Sequence, residues 1–180
     1  MLGPQHATAM LAGLGDIRIY QFLPQDAPVD LAALQARYDR QSVGHSADHA
    51  EQWLNWIVFL YGGVDPVGFV QATLRSGKNA LVAYVIFPAF WRQGIGREAV
   101  TALISYLFET TDTPAVLAEI DTRNAGSIAL VRRLGFCQTA TVENADHFKG
   151  TASHEKHYQL SRAEWPALSA NQAVAFPKKL

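Results

Sequence analysis

The chain has 180 residues, 49% of them hydrophobic, with 15 Lys and Arg against 16 Asp and Glu. That length and composition suit one domain with a sizeable core, and the near-neutral balance offers no basic face for nucleic acid. No apolar run approaches a membrane span, and the lone Cys137, read as small and half-buried, cannot form an internal disulfide, which fits a reducing cytoplasm.

Residues 1–15 lack the basic start and long apolar run of a signal peptide and read as a loose tail. Residues 16–23 alternate as a first strand would, and Pro24 ends it. Residues 28–41 read as a helix with Leu31, Ala33, Leu34 and Tyr38 on its apolar face, broken by Gly44. Ser46 is placed to cap a second helix over 47–56, carrying Trp53, Leu54 and Trp56. Three strands in a meander follow, at 57–61, 66–74 and 80–87. Their connections are the Gly62-Gly63-Val64-Asp65 turn and the hairpin loop Arg75-Ser76-Gly77-Lys78-Asn79. Trp53, Trp56, Phe59 and Tyr61 are expected in the core.

Pro88 closes the third of these strands, and Gly94-Ile95-Gly96 opens a helix over 92–109. Val100, Leu103, Ile104, Leu107 and Phe108 recur on one face of it. Amides at a helix start have no partner inside the helix, and the helix dipole makes them partly positive. With Arg92 and Arg97 beside them, they form a ready site for phosphate or pyrophosphate. Residues 115–121 read as a buried strand. Asn124 then starts a helix with Ser127 in its first turn and Ile128, Val131 and Leu134 facing the core, stopped by Gly135. Two closing strands at 136–142 and 154–160 are joined by a polar loop. A helical turn at 164–170 and a frayed tail complete the chain, so the core spans about 16–165 between tails at 1–15 and 171–180.

The elements predict an α/β (α+β) domain with a mixed, mostly antiparallel central sheet flanked by helices. Ala99 and an acid such as Glu119 or Asp121 also suit a dinucleotide fingerprint, but that fold places its glycine turn after the first strand. Here the turn comes late, which disfavours a nicotinamide or flavin site. His154-Glu155-Lys156-His157 falls in a strand and is no His-Glu-x-x-His helix, and His45 and His49 straddle a helix start, so no metal site is expected.

Three segments resemble the GNAT superfamily of acyl-CoA-dependent N-acetyltransferases. Trp91-Arg92-Gln93-Gly94-Ile95-Gly96 after Val85-Ile86-Phe87-Pro88 is similar to that family's acetyl-CoA motif. Asn124-Ala125-Gly126-Ser127, running on to Leu134-Gly135-Phe136, is similar to its Asn-x-x-Ser helix. Tyr158-Gln159-Leu160-Ser161-Arg162 with Glu164-Trp165 is similar to the closing strand of the ribosomal-protein N-terminal acetyltransferase-like branch.

The resemblance implies splayed central strands with the pantetheine arm of acetyl-CoA between them, meeting Ile86 and Phe87. It implies pyrophosphate on the amides of Arg92, Gln93, Gly94, Ile95, Gly96 and Arg97, and contacts from Asn124 and Ser127. The acceptor would be a primary amine, of a protein N-terminus or a small molecule. Many relatives place a tyrosine four beyond the serine as proton donor, where this chain has Val131. Tyr84 and Ser127 are the substitutes for that donor. Glu119 and Asp121, two apart on one strand face, are the candidates for general base. Asp121 has a competing reading as a cap of the following turn, and Glu119 as the partner of an arginine. The lack of a tyrosine also leaves open a non-catalytic acyl-CoA-binding regulatory module. A homodimer through the closing strands is possible on this pattern.

Overall fold

The computed structural model describes residues 1–75 and 78–165. Its strands are β1 (Glu51–Phe59), β2 (Pro66–Arg75), β3 (Ala80–Ile86), β4 (Ala115–Asp121), β5 (Cys137–Phe148) and β6 (Thr151–Ser161). They form one six-stranded sheet in the order β1-β2-β3-β4-β6-β5, in which only β3 and β4 run parallel. The helices are α1 (Ala7–Leu14), α2 (Leu31–Ser42), α3 (Ile95–Thr110) and α4 (Ala125–Arg133). This is the mixed, mostly antiparallel sheet flanked by helices that the sequence predicts.

Two apolar clusters hold the layers together. On one face Val82, Val116, Ala118, Ile120, Tyr158 and Leu160 pack with Val100, Leu103, Ile104 and Leu107 of α3 and Ile128 and Val131 of α4. On the other face Ile57, Phe69, Val85 and Phe87 meet Met10 and Leu14 of α1 and Leu34 and Tyr38 of α2. Strand alternation therefore turns Leu117, Glu119 and Asp121 of β4, and Ser153, Glu155 and His157 of β6, towards the α1–α2 side. The apolar cluster formed by α1 and α2 reaches β1, β2 and the end of β3 but takes nothing from β4 or β6.

Several expectations need correcting. Residues 1–15 do not form a loose tail: Leu2, Ala7, Met10 and Leu14 are buried in the second cluster. Burying a side chain of Leu or Met size stabilises by about 1.5–3 kcal/mol, enough to order this short, uncharged helix whose pattern alone is weak. Residues 16–23 contain no strand. The Asp16 carboxylate accepts hydrogen bonds from the Arg18 backbone and guanidinium and starts a short 3-10 turn over Ile17–Tyr20, which the Tyr20 hydroxyl ties to Leu14 O at 2.8 Å.

Residues 47–56 are not a helix either. Ser46 instead braces a loop, accepting from Glu51 N and donating to Asp48, and β1 starts at Glu51 in register with β2. Pairing along the whole of β2 overrides the local helical spacing. Trp56 is buried, whereas Phe59 is 45% exposed and Tyr61 lies fully in solvent, so neither belongs to the core. Finally, β5 and β6 run much further than expected and meet at a two-residue turn, Lys149 and Gly150, both at positive φ. Cys137, at the start of β5, is exposed rather than half-buried.

The remaining boundaries hold to within a few residues. Asp30 caps α2 through Ala33 N, Asn124 caps α4 through Ser127 N, and Gly135 follows α4 at φ 92°. Arg162 explains part of the third matched segment. Its guanidinium donates to the carbonyls of Phe108, Thr111 and Thr113, closing the end of α3 onto β4, while Trp165 packs on Phe108. The expected turn at 164–170 and the tail at 171–180 extend beyond the described residues, as does part of the 75–79 loop.

Candidate active site

The site starts where β3 and β4 part. They pair only at Ala80↔Val116 and Leu81↔Leu117. Beyond that point β3 follows β2 as far as Ile86, while β4 follows β6 as far as Asp121. Gly68 lets β2 draw β3 away: a Cβ there would sit 2.1 Å from Val85 O. The result is an open fork in the middle of the sheet. Phe87 N donates to Val67 O and Phe87 O accepts from Phe90 N, so both backbone groups of Phe87 are already bonded. Alternation turns the amides of Tyr84 and Ile86 into the fork. Phe87 therefore contributes its ring, packed under α1, more than a backbone contact.

At the mouth of the fork the chain makes the glycine turn. Trp91 Nε1 donates to Ile86 O at 2.6 Å, Gln93 Nε2 donates to Ala89 O, and Arg92 takes a left-handed φ of 62°. Gly94 caps α3 at φ 85° with open space where a Cβ would stand. The first helical bond runs from Glu98 N to Gly94 O, which leaves the N–H groups of Ile95, Gly96 and Arg97 without helical acceptors. Arg92, Gln93 and Arg97 are exposed around them. The turn thus gathers outward amides, the positive end of a helix and two cations.

Across the fork stands the start of α4. Asn124 Oδ1 accepts from Ser127 N at 3.1 Å, a bond that leaves the amide NH2 able to donate elsewhere. The Tyr84 hydroxyl donates to Ser127 O at 3.4 Å, and burial pushes its phenol up to about 12. Val131, at the position where many relatives carry a tyrosine, is fully buried against the sheet.

The two candidate carboxylates differ sharply. Asp121 accepts from Arg123 N, Nε and Nη2 and from Ser153 Oγ at 2.6 to 2.9 Å, and its side chain is 3% exposed. Hydrogen bonds from the Arg123 guanidinium, then from the Arg123 backbone and Ser153, outweigh burial and hold its pKa down to about 2. Such a carboxylate is a weak base, and its reading as a turn cap fits this geometry. Glu119 is exposed on the same face, beyond the last β3–β4 pair. Among the described residues no arginine is paired with it; its cross-strand neighbour is His157, with Glu155 beside it. One ligand-type atom from each of these three side chains lies within 4.8 Å of the other two. The sequence reading missed His157 and Glu155; the signal lay in their spacing of two on a strand that pairs with 115–121.

Next to Asp121, a segment expected as a strand and one expected as a polar loop come together. Lys149 Nζ, at the β5–β6 turn, donates to Leu23 O and Gln25 O, and Arg123 lies over the rings of Phe22 and Phe148. A separate groove of about 300 Å³, lined by Arg37, Arg40, Trp53 and Gln71, lies between α2 and the β1–β2 strands, away from the fork.

A sheet split beside a glycine-turned helix start defines the protein class, and comparison with known families agrees. The chain belongs to the acetyltransferase (GNAT) domain family, whose model matches residues 2–137. It is 25% identical over 97 residues to an uncharacterized N-acetyltransferase, YoaA, of Bacillus subtilis, a match covering 54% of each protein. The chain thus spans about half the length of that curated relative. Among solved structures it is similar to RimL, a ribosomal-protein alpha-N-acetyltransferase in complex with coenzyme A. The TM-score is 0.78 at 16% identity, over 88% of this chain and 89% of that one. It is also similar to spermidine N-acetyltransferase from Vibrio cholerae, in complex with CoA and spermine. There the TM-score is 0.75 at 13% identity, over 89% of this chain and 92% of that one. At these identities the structural likeness speaks for the fold. Among the described residues no helix is long and apolar enough to cross a membrane.

Proposed function

We propose that the protein transfers the acetyl group of acetyl-CoA to a primary amine, by direct attack of the amine on the thioester. The observation that carries this reading is the fork itself, with the unpaired amides of Ile95, Gly96 and Arg97 at its mouth. The pyrophosphate would rest on the turn from Arg92 to Arg97, with Gln93, Gly94, Ile95 and Gly96 supplying backbone. The pantetheine would pair with the Ile86 side of β3 as an added strand and meet the Asn124 amide and Ser127. CoA in solved relatives of the same fold supports this choice of co-substrate.

A lysine-type amine, of pKa about 10.4, arrives protonated and must lose a proton before it can attack. Glu119 is the base in this reading, because it is exposed on the open face next to the fork and free of the bonds that hold Asp121. The leaving thiolate takes its proton from Tyr84, whose buried phenol stays protonated at neutral pH, or from water. The acceptor is a protein N-terminus or a small-molecule amine, as the RimL and spermidine acetyltransferase likenesses suggest.

A second reading rests on one observation, the buried Val131 in place of a tyrosine acid: a regulatory module that binds acyl-CoA without turnover. One assay separates the two. Free thiol released from acetyl-CoA is followed with a peptide bearing a free N-terminus and with spermine as acceptors. Amine-dependent release is expected. Tight acetyl-CoA binding with no release for any amine would favour the module.

A further inference from the structure

Three titratable side chains on the open face of the sheet form a group that the base assignment alone does not use. Glu119 of β4 lies directly across from His157 of β6, and Glu155 stands two residues before His157 on the same face. His157 Nε2 and Glu155 Oε2 are 3.4 Å apart. An atom of each of the three lies within 4.8 Å of the others, a span that one water bridges where direct contact is too long. Their neighbours on this face are Leu117 on β4, Gln159 on β6 and Ala140 and Val142, which β5 places opposite His157 and Glu155. The next ionisable groups along the face, Asp121 and its partner Arg123, are bonded to each other. Glu155 and His157 are each about one-third exposed, so the group is sheltered yet reachable.

We propose that Glu119, His157 and Glu155 act as one proton-accepting unit for the acceptor amine. This rests on the acetyl-transfer reading and extends it from a single base to a relay. The two carboxylates attract the amine in its cationic form. Glu119 takes one N–H proton, and His157 receives it from Glu119 through a bridging water. Glu155 holds the imidazole through Nε2. As the amine nitrogen bonds to the thioester carbon, the C–S bond breaks and the thiolate takes a proton from Tyr84 or solvent. The nitrogen gives up its second proton to solvent, which restores the donor. The products are the acetamide and the CoA thiol, with one proton left on the relay to return to water. His157 and Glu155 are positioning residues; Glu119 is the catalytic one.

The test is steady-state acetylation of spermine and of a free-N-terminus peptide by wild type, His157→Ala, His157→Gln and Glu155→Gln. Calorimetric titration with acetyl-CoA and a thermal unfolding curve accompany each variant. His157→Ala and His157→Gln should each lower kcat about 10- to 100-fold, less than the loss of the general base itself, with acetyl-CoA affinity unchanged. Added imidazole should restore much of the His157→Ala loss and none of the His157→Gln loss, because the cavity is then filled. Glu155→Gln should show a smaller kcat defect with KM for the amine little changed. Wild-type activity with His157→Ala within twofold of it, or a loss that imidazole does not rescue in a folded variant, would overturn the relay and leave the acetyltransferase reading intact. Activity that falls on chelation and returns with a divalent cation would also overturn it. No acetylation by the wild type would overturn both.

Discussion

The sheet is built differently on the two sides of the β3–β4 fork. The β1–β3 side is covered on both faces, by α3 and by α1 with α2, and ends in a glycine turn whose dihedral angles leave little freedom. The side formed by β4, β6 and β5 is covered by helices on one face; the other carries Glu119, Glu155 and His157, with Arg123 beyond them over the Phe22 and Phe148 rings. On the proposed function the two halves take different tasks. A packed scaffold suits a fixed cofactor, bound through backbone groups, and an open polar face suits a variable acceptor and its protons.

The sharpest way to break that contrast is within β4, at the two carboxylates two residues apart. Glu119→Gln should lower kcat at least about 100-fold while leaving acetyl-CoA affinity within twofold, read by kinetics and calorimetry. Equal loss of binding would mean that Glu119 is structural. Asp121→Asn should do the converse. Its folded pKa of about 2 lies below the unfolded value of 3.8, so its stabilisation is present above pH 4 and drains away as pH falls towards 2. That difference corresponds to about 2 kcal/mol, and the asparagine variant should lose it at neutral pH and show a flatter acid limb in denaturant melts.

On the packed side, Gly13→Ala sharpens the account of α1. Alanine ordinarily stabilises a helix relative to glycine by about 1 kcal/mol. Here its Cβ would stand 2.1 Å from the Phe87 ring, so the variant should instead be destabilised by about 1–3 kcal/mol. A higher melting temperature would mean that α1 does not rest on Phe87. The smallest effect is expected from Tyr84→Phe, a fall of a few-fold in kcat with water substituting as proton donor, checked by the same thiol-release assay.

The legible part of the molecule was the segment from β3 to Phe136. There strong apolar periodicity, a glycine at φ 85° and an asparagine cap each impose their own local geometry. The N-terminal region was not legible because its structure depends on distant partners. Residues 1–14 fold against α2 and Phe87, and residues 51–56 become strand through β2. β5, exposed on both faces for most of its length, carries no apolar alternation to read. The site divides in the same way. The glycine turn and Asn124 stand out in the sequence, whereas the Glu119–His157–Glu155 group exists only because β6 inserts between β4 and β5.

The most direct measurement is calorimetric titration with acetyl-CoA of wild type and Gly94→Trp. The account expects micromolar binding by the wild type. It expects at least a tenfold loss in the variant, since a tryptophan at φ 85° is strained and fills the open space above the amides of α3. Wild-type protein that does not bind acetyl-CoA, or a folded Gly94→Trp variant that binds it equally well, would contradict the placement of the cofactor on this turn.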